Sequence, residues 1–331
     1  INTNPWSSGY DSHYSTLNEF ERINVHKAWA YGLTGAGTSV LVSDSNFDTD
    51  SLSLDGLSGK VTTYGTITEC SNTASSCHGA AVSGLIAADR GDSGPVGVAP
   101  GAKVILTGNN LITLAGAYAA STTAVAANHS WGWNDSLIDD EIALKDSNGW
   151  SSGQLLANKL YGSSNSYYTA ISNNWIAKMN AFQEHGVIVF SNSNTATNDN
   201  AEITAALPEL FPELAEAFIA AVNFDIGGNS GMPGVDGPTG YKRVSAPCGD
   251  AARYCLGADA TVINTLNSNN RWTYGIYDTN NNNVPDTRHY GTSFVAPMIS
   301  GSVALLAEAF PNQSPEQWVD RLLASADNSM A

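Results

Sequence analysis

Short apolar runs alternating with stretches of helical periodicity predict an α/β fold: a doubly wound, mostly parallel sheet with helices on both faces. Three observations carry this. The runs at 39–42, 103–107, 123–127, 187–190 and 218–222 are short, rich in β-branched residues or alanine, and nearly free of charge, as strands buried on both faces are. Helical stretches such as 114–120 and 173–185 separate them, which is the spacing a parallel crossover needs. The residues with distinctive chemistry fall where strands stop and helices start, the end of such a sheet that holds its site. The chain has 331 residues, 42% of them hydrophobic, enough for a large core; it shows no repeat and no long linker, so one domain over 1–331 is expected.

Along the chain, residues 1–22 read as an N-terminal extension. Thr16-x-x-Glu19 has the form of a capping box and opens a helix over 16–31, after which Gly32 to Gly37 lead into the first strand. The polar segment 134–166 reads as a surface insertion. The last helix is announced by Ser314-Pro315-Glu316-Gln317, an N-cap serine, a first-turn proline and a reciprocal cap.

The run Gly291-Thr292-Ser293-Phe294-Val295-Ala296-Pro297 places a serine between small residues where the apolar helix 295–310 begins. Pro297 is read in its first turn, where a missing N–H costs nothing. A serine N-cap explains Ser293 alone; a nucleophile facing the free N–H groups and positive dipole of a helix start explains it as well. Asp44 ends the run Ser39-Val40-Leu41-Val42, where an aspartate equally starts a turn. His78 opens the small-residue helix 78–88, where a lone histidine is usually structural. Together, in the order Asp, His, Ser, they match the chain order of subtilisin.

Val40 to Asp48, His78 to Ala88 and Gly291 to Pro297 resemble the three signature blocks of the subtilisin-like serine proteases, the subtilases. The resemblance implies a subtilisin-like fold and an endopeptidase: Ser293 attacks, His78 takes and returns its proton, and Asp44 orients the imidazole in an acyl-enzyme mechanism. Residues 186–194 resemble the family strand that ends in the oxyanion-hole asparagine, implying Asn194, with Asn192 the competitor if the register differs. Asn128-His129-Ser130-Trp131-Gly132-Trp133 resembles the edge that pairs with an extended peptide, implying substrate roles for Ser130, Trp131 and Gly132. Trp131 either narrows the specificity pocket or packs on the core rim; His129 reads as structural. The sequence departs from the family at Asn46, which replaces a glycine and tolerates a left-handed backbone, and at Ala80 and Ala81, which replace polar residues. The Cys248 to Cys255 block resembles a loop of the subtilases carried by bacterial autotransporters, although the expected Pro-Gly is Ala258-Asp259.

Four cysteines allow three connectivities, and the equal spacings of Cys70-x6-Cys77 and Cys248-x6-Cys255 favour local disulfides over a zinc site, whose spacing is shorter. Disulfides point to an oxidising compartment. The formal charge of −17 disfavours nucleic acid and anionic membranes as partners, and no apolar run approaches a membrane span. The start at Ile1 without methionine implies a signal and propeptide removed upstream, and the end at Ala331 a catalytic domain cut from a longer precursor. The expected protein is therefore a bacterial serine protease, secreted or on the cell surface or periplasmic side. Its expected partners are polypeptide substrates and its own propeptide, and its chemistry needs no cofactor. Asp278, Asn280, Asn282 and Asp286 alternate as in the start of a calcium loop, while the missing turn glycine and distal glutamate leave a hairpin equally open. Two other functions remain: a subtilase-fold binding or adhesion module without turnover, and an esterase or transpeptidase on the same scaffold.

Overall fold

The computed structural model describes residues 20–47, 56–70, 77–89, 96–133, 136–226, 233–237, 240–261 and 290–327. After helix α1 (Val25–Ala30) come β1 (Ser39–Ser43), β2 (Val61–Tyr64), α2 (His78–Ala87), β3 (Lys103–Thr107), α3 (Leu111–Ala120) and β4 (Ala124–His129). Helices α4 (Ile138–Ser147), α5 (Ser152–Tyr161) and α6 (Ser166–Phe182) precede β5 (Val187–Ser191). Short α7 (Leu207–Leu210), β6 (Phe218–Ile226), β7 (Val235–Asp236), β8 (Tyr241–Arg243) and β9 (Cys255–Ala258) lead to α8 (Thr292–Ala309) and α9 (Pro315–Ser325).

The strands form one sheet in the order β2-β3-β1-β4-β5-β6-β8-β7, with β9 also on β6. Pairing is parallel throughout except at β6–β8 and β8–β7, which are antiparallel. Alternation divides the core: Val40, Val42, Val187, Val189, Ile219 and Ala221 face one side, and Leu41, Ile188, Phe190, Phe218 and Ala220 the other. The first side is covered by α2 and α8, the second by α3 and α6. Both faces of the central strands β1, β4, β5 and β6 are thus largely buried, as their uncharged runs require.

The first-side helices lie close because they are thin. Every residue of α2 from Gly79 to Ala87 is buried. A methyl group at Gly79 would stand 2.6 Å from the Phe47 ring and 2.8 Å from the Ser45 carbonyl, so glycine is required beside His78. Helix α8 is long and apolar enough to cross a membrane by length and composition, against the expectation that no apolar run approaches that length, but here it runs through the protein interior against α2 and β4 to β6.

Some expectations shift. The helix expected over 16–31 breaks at Asn24, whose φ of 60° is left-handed, and resumes as α1; Thr16 and Glu19 lie outside the described residues. Phe20 is buried in the core and Arg22 pairs with Asp259, so the end of the expected extension is part of the domain. The polar segment 134–166 forms α4 and α5 and sinks Ile138, Leu155 and Leu156 into the second core. Most of its polar residues face outward, while Glu141 is buried and pairs with Lys159. The caps hold as read: Ser314 and Gln317 close a capping box on α9.

Both disulfides are the local pairs, with Cα separations of 5.5 Å for Cys70–Cys77 and 5.9 Å for Cys248–Cys255. Cys77 is the N-cap of α2, one residue before His78. Replacing Cys70 and Cys77 together by serine is expected to cost about 2.5 kcal/mol in denaturant unfolding, the chain-entropy value for so short a loop.

Candidate active site

Three parallel strands deliver the site by ending at one level. In register, Ser43 of β1 lies beside His129 of β4, and His129 beside Phe190 of β5, so Asp44 and Ser130 leave the sheet at its carboxyl edge level with Ser191, the last residue of β5. The helices α2 and α8 on the first face bring their N-termini to that edge, and with them His78 and Ser293.

Asp44 is 3% exposed and fixed by its own backbone, its N–H donating to the Thr107 carbonyl at 3.1 Å. Its carboxylate faces the His78 ring: Nδ1 lies 2.9 Å from Oδ1 and 3.0 Å from Oδ2, while the Ser45 N–H donates to Oδ1 at 2.7 Å. An Nδ1–H donated to Asp44 leaves Nε2 as the lone-pair nitrogen. Burial, the largest influence, would lower the His78 pKa, but the charge and hydrogen bond of Asp44 outweigh it and raise it above 6.5. Asn46 adopts φ 58°, the left-handed turn expected where the family has glycine.

Ser293 is the second residue of α8, so its backbone N–H has no partner within the helix. The His78 ring lies against the next residue, Phe294, at 5.8 Å between centroids. Pro297 is the sixth helical residue, in the second turn, and the sequence expectation is corrected on this point. Its missing N–H does cost a bond, the one due to the Ser293 carbonyl. Ser130 replaces it: its Oγ donates to that carbonyl at 2.7 Å, while Ser293 Oγ donates to the Ser130 carbonyl at 3.2 Å. Behind this pair a buried relay continues, with Asn128 Nδ2 donating to Ser130 Oγ and Ser300 Oγ to Asn128 Oδ1, both at 3.0 Å. Sequence reasoning missed Asn128 and Ser300; their only signal is a polar residue at a buried position of a strand and of an apolar helix.

The two asparagines after β5 are distinguished by their partners. Asn192 is buried and spent: its Nδ2 donates to the Pro247 carbonyl at 2.8 Å, and its Oδ1 accepts the N–H groups of Ser193 at 2.9 Å and Glu202 at 3.0 Å. Asn194 is exposed, and its Oδ1 accepts the Thr292 N–H at 2.9 Å, leaving Nδ2 unpaired among the described residues. Gly291, at φ 132°, keeps room for it, since a methyl group there would lie 2.8 Å from Asn194 Oδ1.

On the substrate edge, Trp131 packs on the core rim. Its ring contacts His129, Trp133, Trp175 and Phe190, and its Nε1 donates to Ser43 Oγ at 3.2 Å. His129 is fully buried, stacked on Phe190 at 4.2 Å, and within 2.6 Å of the Tyr118 hydroxyl; burial lowers its pKa to about 3, so it is neutral. Gly132 is exposed, and a side chain there would overlap the Glu202 carboxylate behind it. Glu202 also escaped sequence reasoning, although one acid within Ala201-Glu202-Ile203-Thr204-Ala205-Ala206 was its signal. Asp278, Asn280, Asn282 and Asp286 lie outside the described residues.

Ser130→Ala would leave the Ser293 carbonyl without a donor and the buried Asn128 without its acceptor. It should lower unfolding free energy by about 1–3 kcal/mol, the usual penalty for a buried polar group left unpaired.

A model of the subtilase family matches residues 35–331. Fervidolysin of Fervidobacterium pennivorans is 26% identical over 261 residues, covering 72% of this chain and 30% of its own length. The extracellular serine protease of Serratia marcescens is 26% identical over 331 residues, covering 90% of this chain and again 30% of its own length. The chain thus spans about a third of these curated relatives. Among solved structures, the prenylagaramide maturation protease PagA superposes with a TM-score of 0.59 at 19% identity, covering 92% of this chain and 88% of that one, which is a likeness of fold. With the sheet order and the family match over nearly its whole length, the chain belongs to the subtilase family.

Proposed function

We propose that the protein is a serine endopeptidase that cleaves peptide bonds through an acyl-enzyme on Ser293. The observation that carries this reading is the Asp44–His78 pair, with the His78 ring against Phe294, the residue that follows Ser293 at the N-terminus of α8. An extended peptide pairs with the backbone of Ser130 to Gly132. Rotation about its Cα–Cβ bond turns Ser293 Oγ from the Ser130 carbonyl to His78 Nε2. The serine oxygen attacks the substrate carbonyl carbon as its proton passes to Nε2, and Asp44 stabilises the imidazolium. The carbonyl oxygen becomes an oxyanion held by the Ser293 N–H and Asn194 Nδ2. His78 then protonates the leaving amine, the C–N bond breaks, and water repeats the sequence to release the acid. No step calls for a cofactor. Calcium at Asp278, Asn280, Asn282 and Asp286 would serve stability, with loss of protease resistance on chelation as its sign.

An extracellular setting, secreted or at a cell surface, is proposed from the two disulfides and from the relative named an extracellular serine protease. A propeptide partner follows from the family reading. The second reading, a binding or adhesion module without turnover, is favoured by the rest position of Ser293 Oγ on the Ser130 carbonyl.

Labelling by an aryl sulfonyl fluoride decides between them. A single adduct on Ser293, lost in His78→Ala, is the expected result; an unlabelled, folded protein would establish the binding module. Asn194→Ala should lower kcat by about 100-fold or more, roughly 3 kcal/mol, a magnitude taken from subtilisin itself, and should also cost about 1–3 kcal/mol of unfolding free energy because the Thr292 N–H loses its acceptor.

The pH profile supplies a second check. His78 must be neutral to accept the proton, and its pKa is raised, so kcat/KM should fall as pH drops through one ionisation above 6.5. In Asp44→Asn, burial acts without the opposing charge, and the inflection should move down as the rate collapses.

A further inference from the structure

One buried acid stands against the substrate edge and has no part in the chemistry above. The Glu202 side chain is 0% exposed. Its Oε1 accepts the Thr204 hydroxyl and the Thr204 N–H, the latter at 3.2 Å. Its Oε2 makes no hydrogen bond of normal geometry among the described residues. The unspent oxygen lies at the junction of the two segments that flank the expected substrate. On one side it abuts Gly132, where only the absence of a side chain leaves it room. On the other, the Glu202 backbone donates to Asn192, two residues before Asn194, at 3.0 Å.

We infer that Glu202 determines specificity, receiving the guanidinium or ammonium of an arginine or lysine that precedes the scissile bond. This rests on the endopeptidase reading and names its substrate class. A side chain entering between Ser130–Gly132 and Asn192–Asn194 runs toward Gly132 and meets the carboxylate behind it. A cation there supplies the partner that Oε2 lacks, and an apolar side chain would leave it unpaired, which is the costlier outcome in a buried site. Two further facts agree. Burial, against the opposing backbone amides of Trp133, Thr204 and Ala205, holds the Glu202 carboxyl up at about 8, a cost that a neighbouring cation relieves. The formal charge of −17 draws basic polypeptides toward the protein as a whole.

The test uses the full chain and two readouts. Peptide 4-nitroanilides that differ only in the residue before the scissile bond (arginine, lysine, leucine or phenylalanine) report kcat/KM. Peptides ending in arginine or leucine, titrated into Ser293→Ala by calorimetry, report binding without turnover. Wild type should favour arginine over leucine, and Glu202→Gln should lower that ratio by about 30-fold or more, which is 2 kcal/mol at 1.4 kcal/mol per tenfold. Glu202→Asp should recover part of it. A wild-type preference for leucine or phenylalanine overturns the inference, even if Glu202→Gln does not fold. So does an arginine to leucine ratio that is unchanged in a folded Glu202→Gln. Arginine-selective binding to Ser293→Ala with no turnover of any nitroanilide by wild type would uphold Glu202 and overturn the endopeptidase reading. Turnover that prefers leucine would do the reverse.

Discussion

The site depends on a long apolar helix passing through the interior. Helix α8 must be buried, because thirteen of its eighteen residues are, and a buried helix cannot leave its ends to water. The groups that satisfy its first turn come from the neighbouring strand ends. Asn194 Oδ1 takes the Thr292 N–H, the Asn192 carbonyl takes the Thr292 hydroxyl at 2.5 Å, and Ser130 Oγ takes the carbonyl that Pro297 leaves open. Ser293 is therefore held by the ends of β4 and β5, the same segments proposed to bind substrate. Satisfying the helix and building the site are one operation.

Charge is handled by the same economy of position. Asp44 is buried, and it stays paired because His78 opens a helix of small residues that can approach β1 closely. Glycine at 79 sets that distance, and the Cys70–Cys77 bridge anchors the residue before His78. The second buried acid near the cleft, Glu202, has no cation beside it among the described residues, so burial raises its pKa where Asp44 raises that of its partner instead. A third, Asp259, stands where the autotransporter-type loop would have Pro-Gly. It pairs with Arg22 and accepts the N–H groups of Ile226 at 2.9 Å and Thr261 at 3.1 Å. That pairing joins the N-terminal segment to the end of β6 and to the stretch whose Ala260 carbonyl receives the Gly291 N–H.

The sequence by itself determined the class of fold, because strands buried on both faces must be apolar throughout and crossover helices must be amphipathic or small. It also singled out Asp44, His78 and Ser293 as a candidate set, through their order along the chain and the resemblance of the blocks around them to those of the subtilases. The local disulfides and the capping box at Ser314 belong here too, for both are satisfied within a few residues. What only the tertiary structure decided involves partners far apart in the chain. Asn192 and Asn194 are alike in sequence, and only Pro247, Glu202 and Thr292, from 10 to 98 residues away from the amide each meets, separate a spent amide from an unpaired one. Trp131 became a rim residue through Trp175 and Phe190. Pro297 and Ser130 have meaning only together, across 163 residues between Ser130 and Ser293. Glu202 is one acid among 31 until the fold sets it behind Gly132. Hydrogen bonding and burial are properties of neighbours, and a chain chooses its distant neighbours only by folding.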